Sequence, residues 1–490
     1  MYALRKEEMK RIDLATQSKI KSYDLMEDAG MKMAKKTLKY YNPKNVLLVL
    51  GSGGNAGDAL VLGRYFLSLN INVEAYIISK IKNNDALINL DKFMGKIVKE
   101  IDFSKYDLII DGIFGIGLKR SLNNEYIDII NKINNSNKDI VSLDIPSGID
   151  ADSGISYGAF IKSNLCITVE YIKTGMLLDD GLDSYKKIEI VKVNMIKPNE
   201  YIHIVEKEDF KNIFPIRLRN TNKSSYGKAS IIASSNNYPG ASKISFLALL
   251  SFKMGVGYQN LFVPESVYNL YALTNPELIV NKIPEDNGHI KYDEKILDDI
   301  IKRSDSISIG MGMCVSLDLY LSIKYLLNNY TKRLLIDADG INTIAKYGVD
   351  ILKNKKCEVI LTPHLKEFER LINVKVSDIK LNPIDYAIKF AKEYNITLVL
   401  KSASTIIVNN NDIAINYIGS TSLAKAGSGD ALSGILSGLL AYLKNESVYK
   451  ISTLASYILE EAAINLKACC ETVTITEIIK NIPKIIKKLK

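Results

Sequence analysis

Short apolar runs rich in β-branched residues recur along the first half of the chain, separated by segments of helix length. The runs cover residues 46–50, 73–78, 108–111, 140–144 and 165–169. Strands separated by helices pair in parallel, and the helices form the crossovers. The pattern therefore predicts an open α/β sheet, in which ligands bind beyond the carboxyl ends of the strands.

This periodicity breaks between residues 194 and 222, where two prolines and a polar stretch interrupt it. We place a domain boundary there, with a first domain of residues 1–205 and a second of residues 206–490. A new α/β series follows the break. Its apolar runs are residues 229–234, 306–309, 334–337, 359–361 and 398–400.

Length and composition agree with two folded domains. The chain has 490 residues, of which 47% are hydrophobic and 24% charged, so it can bury a large core. Its formal charge of +9 comes from dispersed lysines rather than from basic blocks with interleaved aromatic residues. We therefore expect small-molecule partners and no nucleic-acid partner.

The location is predicted from the N-terminus, the apolar runs and the cysteines. The first residues are charged where a secretory signal would be apolar, and no run reaches the ~18–20 apolar residues of a membrane span. Five cysteines without a C-x-x-C pair and three scattered histidines argue against a disulfide framework and against a thiolate or histidine metal site. We expect a soluble cytoplasmic protein without a membrane partner.

Three polar loops that contain glycine follow predicted strands of the first domain, at residues 51–58, 111–120 and 144–148. One such loop is what any strand-to-helix turn requires, but three acid-bearing loops at one sheet edge favour a binding site. Asn55, Asp111 and Ser147 offer oxygen ligands for a hard cation, and these residue types do not separate magnesium from potassium. The first loop departs from G-x-G-x-x-G, so an ordinary dinucleotide fingerprint fits poorly.

Four motifs in order resemble the YjeF N-terminal domain, the NAD(P)H-hydrate epimerase, over roughly residues 1–205. They are LMEDAG at 25–30, NAGD at 55–58, DGIFGIG at 111–117 and DIPSG at 144–148. In that family the second motif lies in a loop that reads NNGGDG. Here Gly54, Ala56 and Ala59 replace an Asn and two Gly.

The resemblance implies a Rossmann-like open sheet that holds a hydrated nicotinamide nucleotide and a potassium ion. Asn55, Asp111 and Ser147 would bind potassium, and Asp144 is the candidate catalytic proton carrier for epimerisation. The residues implied to bind the substrate are Gly54, Asn55, Ala56, Gly57, Asp58, Gly115, Ile116, Gly117, Leu118, Lys119, Arg120 and Ser121, together with Asp144.

The second domain carries AGSGD at residues 426–430, directly before an apolar run at 431–443. The glycines allow a tight turn, and the start of the following helix would offer free N–H groups to a phosphate. Asp430 at the mouth of that anion site could take a proton from an alcohol. An ordinary turn and helix cap explains so short a motif equally well.

Further polar loops follow predicted strands of this domain, at 310–312, 337–342, 362–367 and 401–405. Lys401 could neutralise a phosphate, although most lysines are simply solvated. His364 could orient a substrate or cap a helix. The pair Asp337 and Asp339 could bind a metal or act as helix caps.

These loops resemble the ADP/ATP-dependent NAD(P)H-hydrate dehydratase, a member of the ribokinase-like α/β/α fold, from about residue 225 to the end of the chain. The matching motifs are YGKA at 226–229, PGA at 239–241, DAD at 337–339, TPHLKE at 362–367, Lys401 and GSGD at 427–430. The family usually has Pro-Gly between the His and the Glu and a Gly after the Lys. Here Leu365-Lys366 and Ser402 occupy those positions.

The second resemblance implies that Asp430 is the catalytic base and that ADP is the co-substrate, with magnesium as a further possible cofactor. The residues implied to contact the hydrate are Ala241, Gly312, His364, Leu365, Lys366, Glu367, Phe368, Glu369, Arg370 and Asp430. Those implied to hold the adenine nucleotide are Lys401, Ser402, Ala403, Ser404, Thr405 and Gly429, with the loop from Thr421.

Together the resemblances imply a bifunctional nicotinamide nucleotide repair enzyme. It would epimerise the hydrates of NADH and NADPH and dehydrate the S epimer at the expense of ADP, giving AMP and phosphate. Two alternatives stay open: a ribokinase-like kinase for a small alcohol, and a non-catalytic first domain that binds or dimerises. The sequence separates neither ADP from ATP nor the NADH hydrate from the NADPH hydrate. We expect a homo-oligomer.

Overall fold

The computed structural model describes residues 1–118, 121–241, 254–273, 279–410 and 412–490. Of the predicted site residues, Lys119 and Arg120 lie outside this set. The chain divides into two compact units, Met1–His203 and Ile204–Lys490, where the sequence predicts a boundary at residue 205. Each unit contains a largely parallel sheet with helices, so the predicted α/β class is confirmed.

The main sheet of the first unit has seven described strands, and all of their pairings are parallel. Their order along the sheet is Lys96–Val98, Asn72–Ile77, Asn45–Leu50, Leu108–Gly112, Asp139–Leu143, Leu165–Val169 and Ile188–Val191. The chain changes direction across the sheet between Asn45–Leu50 and Leu108–Gly112. Such a switch point is where open α/β sheets bind ligands.

Five α-helices of the first unit are described, and three short 3-10 helices join them. The α-helices are Lys6–Gln17, Ser22–Thr37, Gly54–Ser68, Asn84–Asp91 and Asn124–Asn134. The 3-10 helices are Phe103–Lys105, Thr174–Leu177 and Asp179–Asp183. The short strand Tyr2–Leu4 pairs in parallel with Ile172–Lys173 and, through Tyr2 and Ala3, antiparallel with residues 202–203 of the strand Ile202–Ile204.

Two glycines set the distance between the second and third of these helices. A Cβ added to Gly30 would lie 2.6 Å from Val61 Cβ and 2.7 Å from the carbonyl oxygen of Asp58. A Cβ added to Gly57 would lie 2.4 Å from Met26 Sδ. Real Cβ atoms do not approach so closely, because the interior is already close-packed. The LMEDAG motif thus positions the helix whose first turn carries the predicted substrate loop.

The sheet of the second unit has nine strands in the described part of the chain. Its order is Ile279–Ile283, Tyr258–Pro264, Lys228–Ile232, Ser306–Ile309, Arg333–Ile336, Glu358–Leu361, Thr397–Leu400, Thr405–Asn409 and Asp412–Asn416. The pairings are parallel as far as Thr397–Leu400, and the last two strands are antiparallel. The strands Glu285–Asp286 and His289–Ile290 form a separate small hairpin.

The helices of the second unit flank this sheet. The described α-helices are Tyr268–Ala272, Glu294–Arg303, Leu317–Asn329, Asp339–Tyr347, Leu365–Ile372, Val376–Leu381, Pro383–Tyr394, Ser428–Tyr442, Val448–Ile464 and Ile475–Leu489. The described 3-10 helices are Lys207–Phe210, Lys223–Tyr226, Glu265–Val267, Val349–Lys353 and Thr421–Leu423. In the parts of the chain that the structure covers, no helix combines the length and the apolar character needed to cross a membrane.

The helix Ser428–Tyr442 is a core helix. Every residue from Ala431 to Tyr442 is buried, which is typical of a helix that is apolar on all sides. Its C-terminal carbonyl groups are satisfied by Arg333, whose Nη1 donates to Leu440 O at 2.9 Å and to Leu443 O at 3.0 Å. Arg333 therefore anchors the C-terminal end of this helix.

A buried polar cluster lies where the helix Val448–Ile464 meets the two antiparallel strands. Glu460 is 6% exposed, and its Oε1 accepts hydrogen bonds from Thr405 Oγ1 at 3.2 Å and from Ser456 Oγ at 3.1 Å. Ser456 accepts one from Asn416 Nδ2 at 2.9 Å. Burial raises the pKa of Glu460 to about 8, because desolvation disfavours the charged carboxylate.

Replacing Glu460 by Gln is expected to remove a pH dependence of stability. The pKa of Glu460 rises on folding from its ordinary 4.5 to about 8, so the folded chain binds more protons between these values. The contribution of this group is complete below about pH 4.5 and is lost as the pH rises through about 8. We expect the free energy of unfolding of the wild type, measured in urea, to fall between about pH 5 and about pH 8. The fall should be roughly 3–4 kcal/mol larger than in Glu460→Gln. Parallel losses in the two proteins would contradict the protonated buried acid.

Candidate functional site

The three predicted loops of the first unit meet at the carboxyl edge of its sheet. They line a cavity of about 470 Å³, whose wall includes residues 52–55, residues 113–118, Asp58 and Asp144. This volume lies in the range of roughly 300–1,000 Å³ that small-molecule sites occupy. The helix Gly54–Ser68 begins in this wall, so its unpaired N–H groups are available to an anion.

Not every predicted substrate residue of this unit reaches the cavity. Ala56 is fully buried, Gly57 packs against Met26, and Ser121 is exposed. The predicted residues that line the cavity are Gly54, Asn55, Asp58, Gly115, Ile116, Gly117, Leu118 and Asp144.

The three residues predicted to bind a cation lie together. Asp111 is fully buried; its Oδ1 accepts a hydrogen bond from Ser147 Oγ at 2.5 Å, and its Oδ2 accepts one from Ser142 Oγ at 2.8 Å. The backbone of Phe114 connects Asn55 with Ser147. Its carbonyl oxygen accepts a hydrogen bond from Asn55 Nδ2 and its N–H donates one to Ser147 Oγ, both at 2.9 Å.

Two observations on this cluster fit a hard cation. Asn55 Oδ1 is buried and has no hydrogen-bond partner among the described residues. Asp111 forms no ion pair with a Lys or Arg in the part of the chain that the structure describes, and burial raises its pKa against the opposing hydrogen bonds from Ser147. A carboxylate without a counter-charge beside an unsatisfied amide oxygen suits an oxygen-binding cation.

Asp144 is held at the cavity wall by an ion pair. Its backbone has φ 67°, a left-handed conformation that is uncommon outside glycine and typical of functional positions. Its Oδ1 accepts a hydrogen bond from Lys173 Nζ, and Lys173 is fully buried. Lys173 Nζ also donates to Thr168 Oγ1 at 2.8 Å and to Val169 O at 3.2 Å. The ammonium therefore fixes the orientation of the Asp144 carboxylate.

Unlike Asp144, Asp58 forms no ion pair with any of the residues that the structure describes. Burial and, as a smaller effect, the charge of Asp144 raise the pKa of Asp58 well above its ordinary value, and the charge of Lys173 opposes this only in part. The cavity thus combines an acid whose pKa is raised by burial with a second acid that is held in an ion pair. Two carboxyl groups in different environments are suited to different roles in acid–base chemistry.

The second unit forms a comparable arrangement where the strands Arg333–Ile336 and Thr397–Leu400 end. Asp337 Oδ1 accepts a hydrogen bond from Lys401 Nζ at 3.0 Å, and its Oδ2 accepts one from Ser433 Oγ at 2.6 Å. Burial would raise the pKa of Asp337, but Lys401 and Ser433 outweigh it and the net pKa is lowered. A Cβ on Gly429 would lie 3.2 Å from Lys401 Nζ, so the ammonium lies beside the N-terminus of the core helix.

Asp430 stands in the first turn of that helix. Burial, followed by the charge of Asp337, raises the pKa of Asp430 to about 7, although Lys401 opposes the shift. A general base works best with a pKa near the operating pH. The turn before it depends on Gly427, whose φ of 95° is a left-handed conformation that suits glycine.

His364 is a helix cap. Its Nδ1 accepts hydrogen bonds from Lys366 N and Glu367 N, both at 3.1 Å, while Glu367 Oε2 accepts one from His364 N at 2.9 Å. Burial and then Lys401 lower the pKa of His364, so the ring is neutral and its proton lies on Nε2. The sequence allowed His364 to orient a substrate or to cap a helix, and in the structure it caps the helix Leu365–Ile372.

Other predicted residues of the second unit have different surroundings. A Cβ on Gly312 would lie 2.9 Å from Ala241 Cβ, so these two lie together. Phe368 is fully buried against Phe390, with ring centroids 5.5 Å apart, and its side chain belongs to the core. Ser402 and Ala403 are exposed, whereas Ser404 and Thr405 are buried.

The helix after His364 carries four further predicted residues. Leu365 is half-buried, and Lys366 forms an ion pair with Glu369 at 2.5 Å. Arg370 Nη1 donates a hydrogen bond to Asn342 Oδ1 at 2.8 Å.

Comparison with known proteins accounts for both units. A family model described as NAD(P)H-hydrate dehydratase matches residues 229–484, more than half of the chain, and one described as YjeF-related protein N-terminus matches residues 22–175. The bifunctional NAD(P)H-hydrate repair enzyme Nnr of Dictyoglomus turgidum is 30% identical in an alignment of 469 residues that covers 90% of this chain and 90% of that one. The chain belongs to the bifunctional NAD(P)H-hydrate repair enzyme family.

Further matches agree with this assignment. The enzyme of the same name from Thermofilum pendens is 28% identical over 465 residues, covering 90% of this chain and 87% of that one. A Bacillus subtilis ADP/ATP-dependent NAD(P)H-hydrate dehydratase, co-crystallised with ATP and magnesium, shares the fold at a TM-score of 0.51 and 24% identity. It covers 59% of this chain and 99% of its own. The resemblances predicted for both halves are confirmed, and the findings favour them over the kinase and the non-catalytic alternative.

Asp144→Asn is expected to destabilise the first unit by about 3 kcal/mol, because it leaves the buried Lys173 without an anion. Asn also adopts the left-handed backbone conformation, so the substitution removes the charge of the side chain without straining the backbone. Urea unfolding should show that adding Lys173→Met to Asp144→Asn restores most of the loss. Additive losses in the double variant would contradict the coupling between the two side chains.

Proposed function

We propose that this chain repairs hydrated nicotinamide nucleotides. Its first unit interconverts the C6 epimers of the NADH and NADPH hydrates, and its second unit dehydrates the S epimer at the expense of ADP, giving AMP and phosphate. The observation that carries the proposal is Asp430, a half-buried carboxyl whose pKa is raised by desolvation to about 7, in the first turn of the helix that begins beside Lys401. The names of relatives that match 90% of the chain support it.

Dehydration needs a better leaving group than hydroxide. Asp430 removes the proton of the C6 hydroxyl, whose oxygen attacks the β-phosphorus of ADP as the bond to AMP breaks. Lys401 and the N–H groups of the helix start stabilise the charge on the transferring phosphoryl group. The C–O bond then breaks with the electron pair of the ring nitrogen, phosphate leaves, and loss of a C5 proton restores the ring double bond.

The nucleotide would bring its magnesium with it. Clusters of three or more His, Cys, Asp or Glu side chains that could hold a metal ion are not found in the described parts of the chain. Asp337 is engaged by Lys401 and Ser433. Magnesium is often held largely by substrate phosphates, so the residues present fit an ion that arrives with ADP.

Epimerisation at C6 requires the hydroxyl to leave from one face of the ring and water to add to the other. Asp58, the carboxyl with the raised pKa, donates a proton to the departing oxygen. Asp144, oriented by Lys173, takes the proton of the incoming water.

Asn55, Asp111 and Ser147 would hold potassium, and the positive charge of the ion would stabilise the loops that carry these residues. The homo-oligomeric state and the cytoplasmic location stay predictions from the sequence.

Asp430→Asn tests the second site. We expect the ADP-dependent return of NADH from its S hydrate to slow by ~10²- to 10⁴-fold, because the base is lost and the shape is kept. The wild-type rate should rise with pH through about 7 as Asp430 loses its proton. Epimer exchange measured without ADP is the internal control and should not change. Unaltered dehydration would show that another group accepts the proton.

The cation site is tested by replacing potassium with tetramethylammonium. Epimer exchange and the melting temperature of the first unit should both fall in wild type, because the Asp111 carboxylate then lacks a counter-charge. In Asp111→Asn the two readouts should no longer respond to potassium. Asp91→Asn, the same change at an exposed position of this unit, serves as the matched control. A potassium response that survives in Asp111→Asn would exclude this site.

A further inference from the structure

A second cavity adjoins the first within the N-terminal unit. It has a volume of about 230 Å³ and shares Gly54, Asp58, Ile116 and Asp144 with the larger cavity. This volume is below the roughly 300–1,000 Å³ that a whole drug-sized ligand occupies. The smaller cavity can therefore take one ring of a nucleotide, while the rest of the molecule occupies the larger one.

The smaller cavity has a mixed wall, and apolar side chains form one part of it. Leu25 and Met26 contribute to its wall from the helix Ser22–Thr37, and Val169 and Val193 contribute from the far end of the unit's sequence. Apolar side chains of this kind suit the faces of a nicotinamide ring. The wall of the larger cavity includes the start of the helix Gly54–Ser68 and the glycines at 115 and 117, and backbone N–H groups at a helix start suit a phosphate.

Polar side chains form the rest of this wall. They are Asp13, Gln17, Ser22, Asp58, Asn83 and Asp144. Asp13 and Gln17 stand one turn apart on the helix Lys6–Gln17, and Gln17 Nε2 donates to Asp13 Oδ2 at 3.0 Å. The pKa of Asp13 is raised by burial, opposed by Gln17 and raised further by the charge of Asp144. Asp13 thus faces the same space as the reactive carboxylate. The Gln17 amide keeps a carbonyl oxygen and a second N–H, the donor and acceptor that a primary carboxamide requires.

We propose that the smaller cavity is the subsite for the nicotinamide ring and that Gln17, positioned by Asp13, reads the carboxamide of the ring. This inference rests on the proposed epimerase function. It places C6 of the ring beside the two carboxyl groups that both cavities share. It also explains why acidic residues line this cavity. Loss of the C6 hydroxyl group leaves positive charge on the ring, and Asp13 and Asp144 stabilise that charge.

A kinetic test uses epimer exchange on the full chain without ADP. Gln17→Ala should raise the KM about tenfold and change kcat less, because it removes a pair of hydrogen bonds made in both ground and transition states. ADP-dependent dehydration should be unchanged. Ser18→Ala, at the next, exposed position of the chain, is the control and should alter neither activity. An unchanged KM in Gln17→Ala would overturn the inference.

A second measurement separates reading of the carboxamide from a structural role. Nicotinamide mononucleotide should inhibit exchange more strongly than nicotinic acid mononucleotide, in which a carboxylate replaces the amide. Gln17→Ala should reduce that preference. Equal inhibition by the two mononucleotides in wild type would overturn the proposal.

Crystals of the full chain soaked with nicotinamide mononucleotide would show where the nicotinamide ring binds, without relying on a measured reaction. A ring between Met26 and Val169 with its amide on Gln17 supports the proposal. A ring placed in the larger cavity, or no ring in this unit, overturns it. If wild type exchanges no epimers although the ring occupies the subsite, the epimerase function fails and the binding site stands.

Discussion

Each unit holds a lysine–aspartate pair at the ends of parallel strands. Lys173 pairs with Asp144 in the first unit, and Lys401 pairs with Asp337 in the second. In each unit a second acid, Asp58 or Asp430, lies nearby, forms no ion pair with a described residue and has a raised pKa. A charge removed from water needs a partner, so each lysine stabilises the charged form of the carboxyl with which it pairs more than that of the neighbouring acid. The acid–base chemistry that we propose for both units depends on this difference.

The pairs can act in this way because the backbone around them is tightly constrained. In the first unit, Gly30 and Gly57 bring two helices so close that the loop at the start of the third helix has little freedom. In the second unit, the core helix carries Asp430 at one end and is bound through Arg333 at the other. Packing thus fixes the distances on which the electrostatic effects depend.

Much of this organisation could be predicted from the sequence, because apolar runs and glycine-bearing loops are local signals. The predicted central strands and the loops after them occur as expected, and the ordered motifs identified the family. The antiparallel strands Thr405–Asn409 and Asp412–Asn416 were missed, since part of the first was interpreted as a nucleotide loop. Lys173 was missed because one lysine among many carries no signal until the fold brings it to Asp144. Asp13 and Gln17 were missed because their helix precedes every recognised motif.

The contact between Arg333 and the end of the core helix has a consequence for nucleotide affinity. A helix that is anchored at its far end has less freedom to lose when a phosphate arrives at its start. Part of the entropic cost of ordering an anion site there is then met on folding, and association with the nucleotide is weakened less by it. Loosening this distant anchor would lower affinity through the arrangement of the empty site, without touching a single group that meets the ligand.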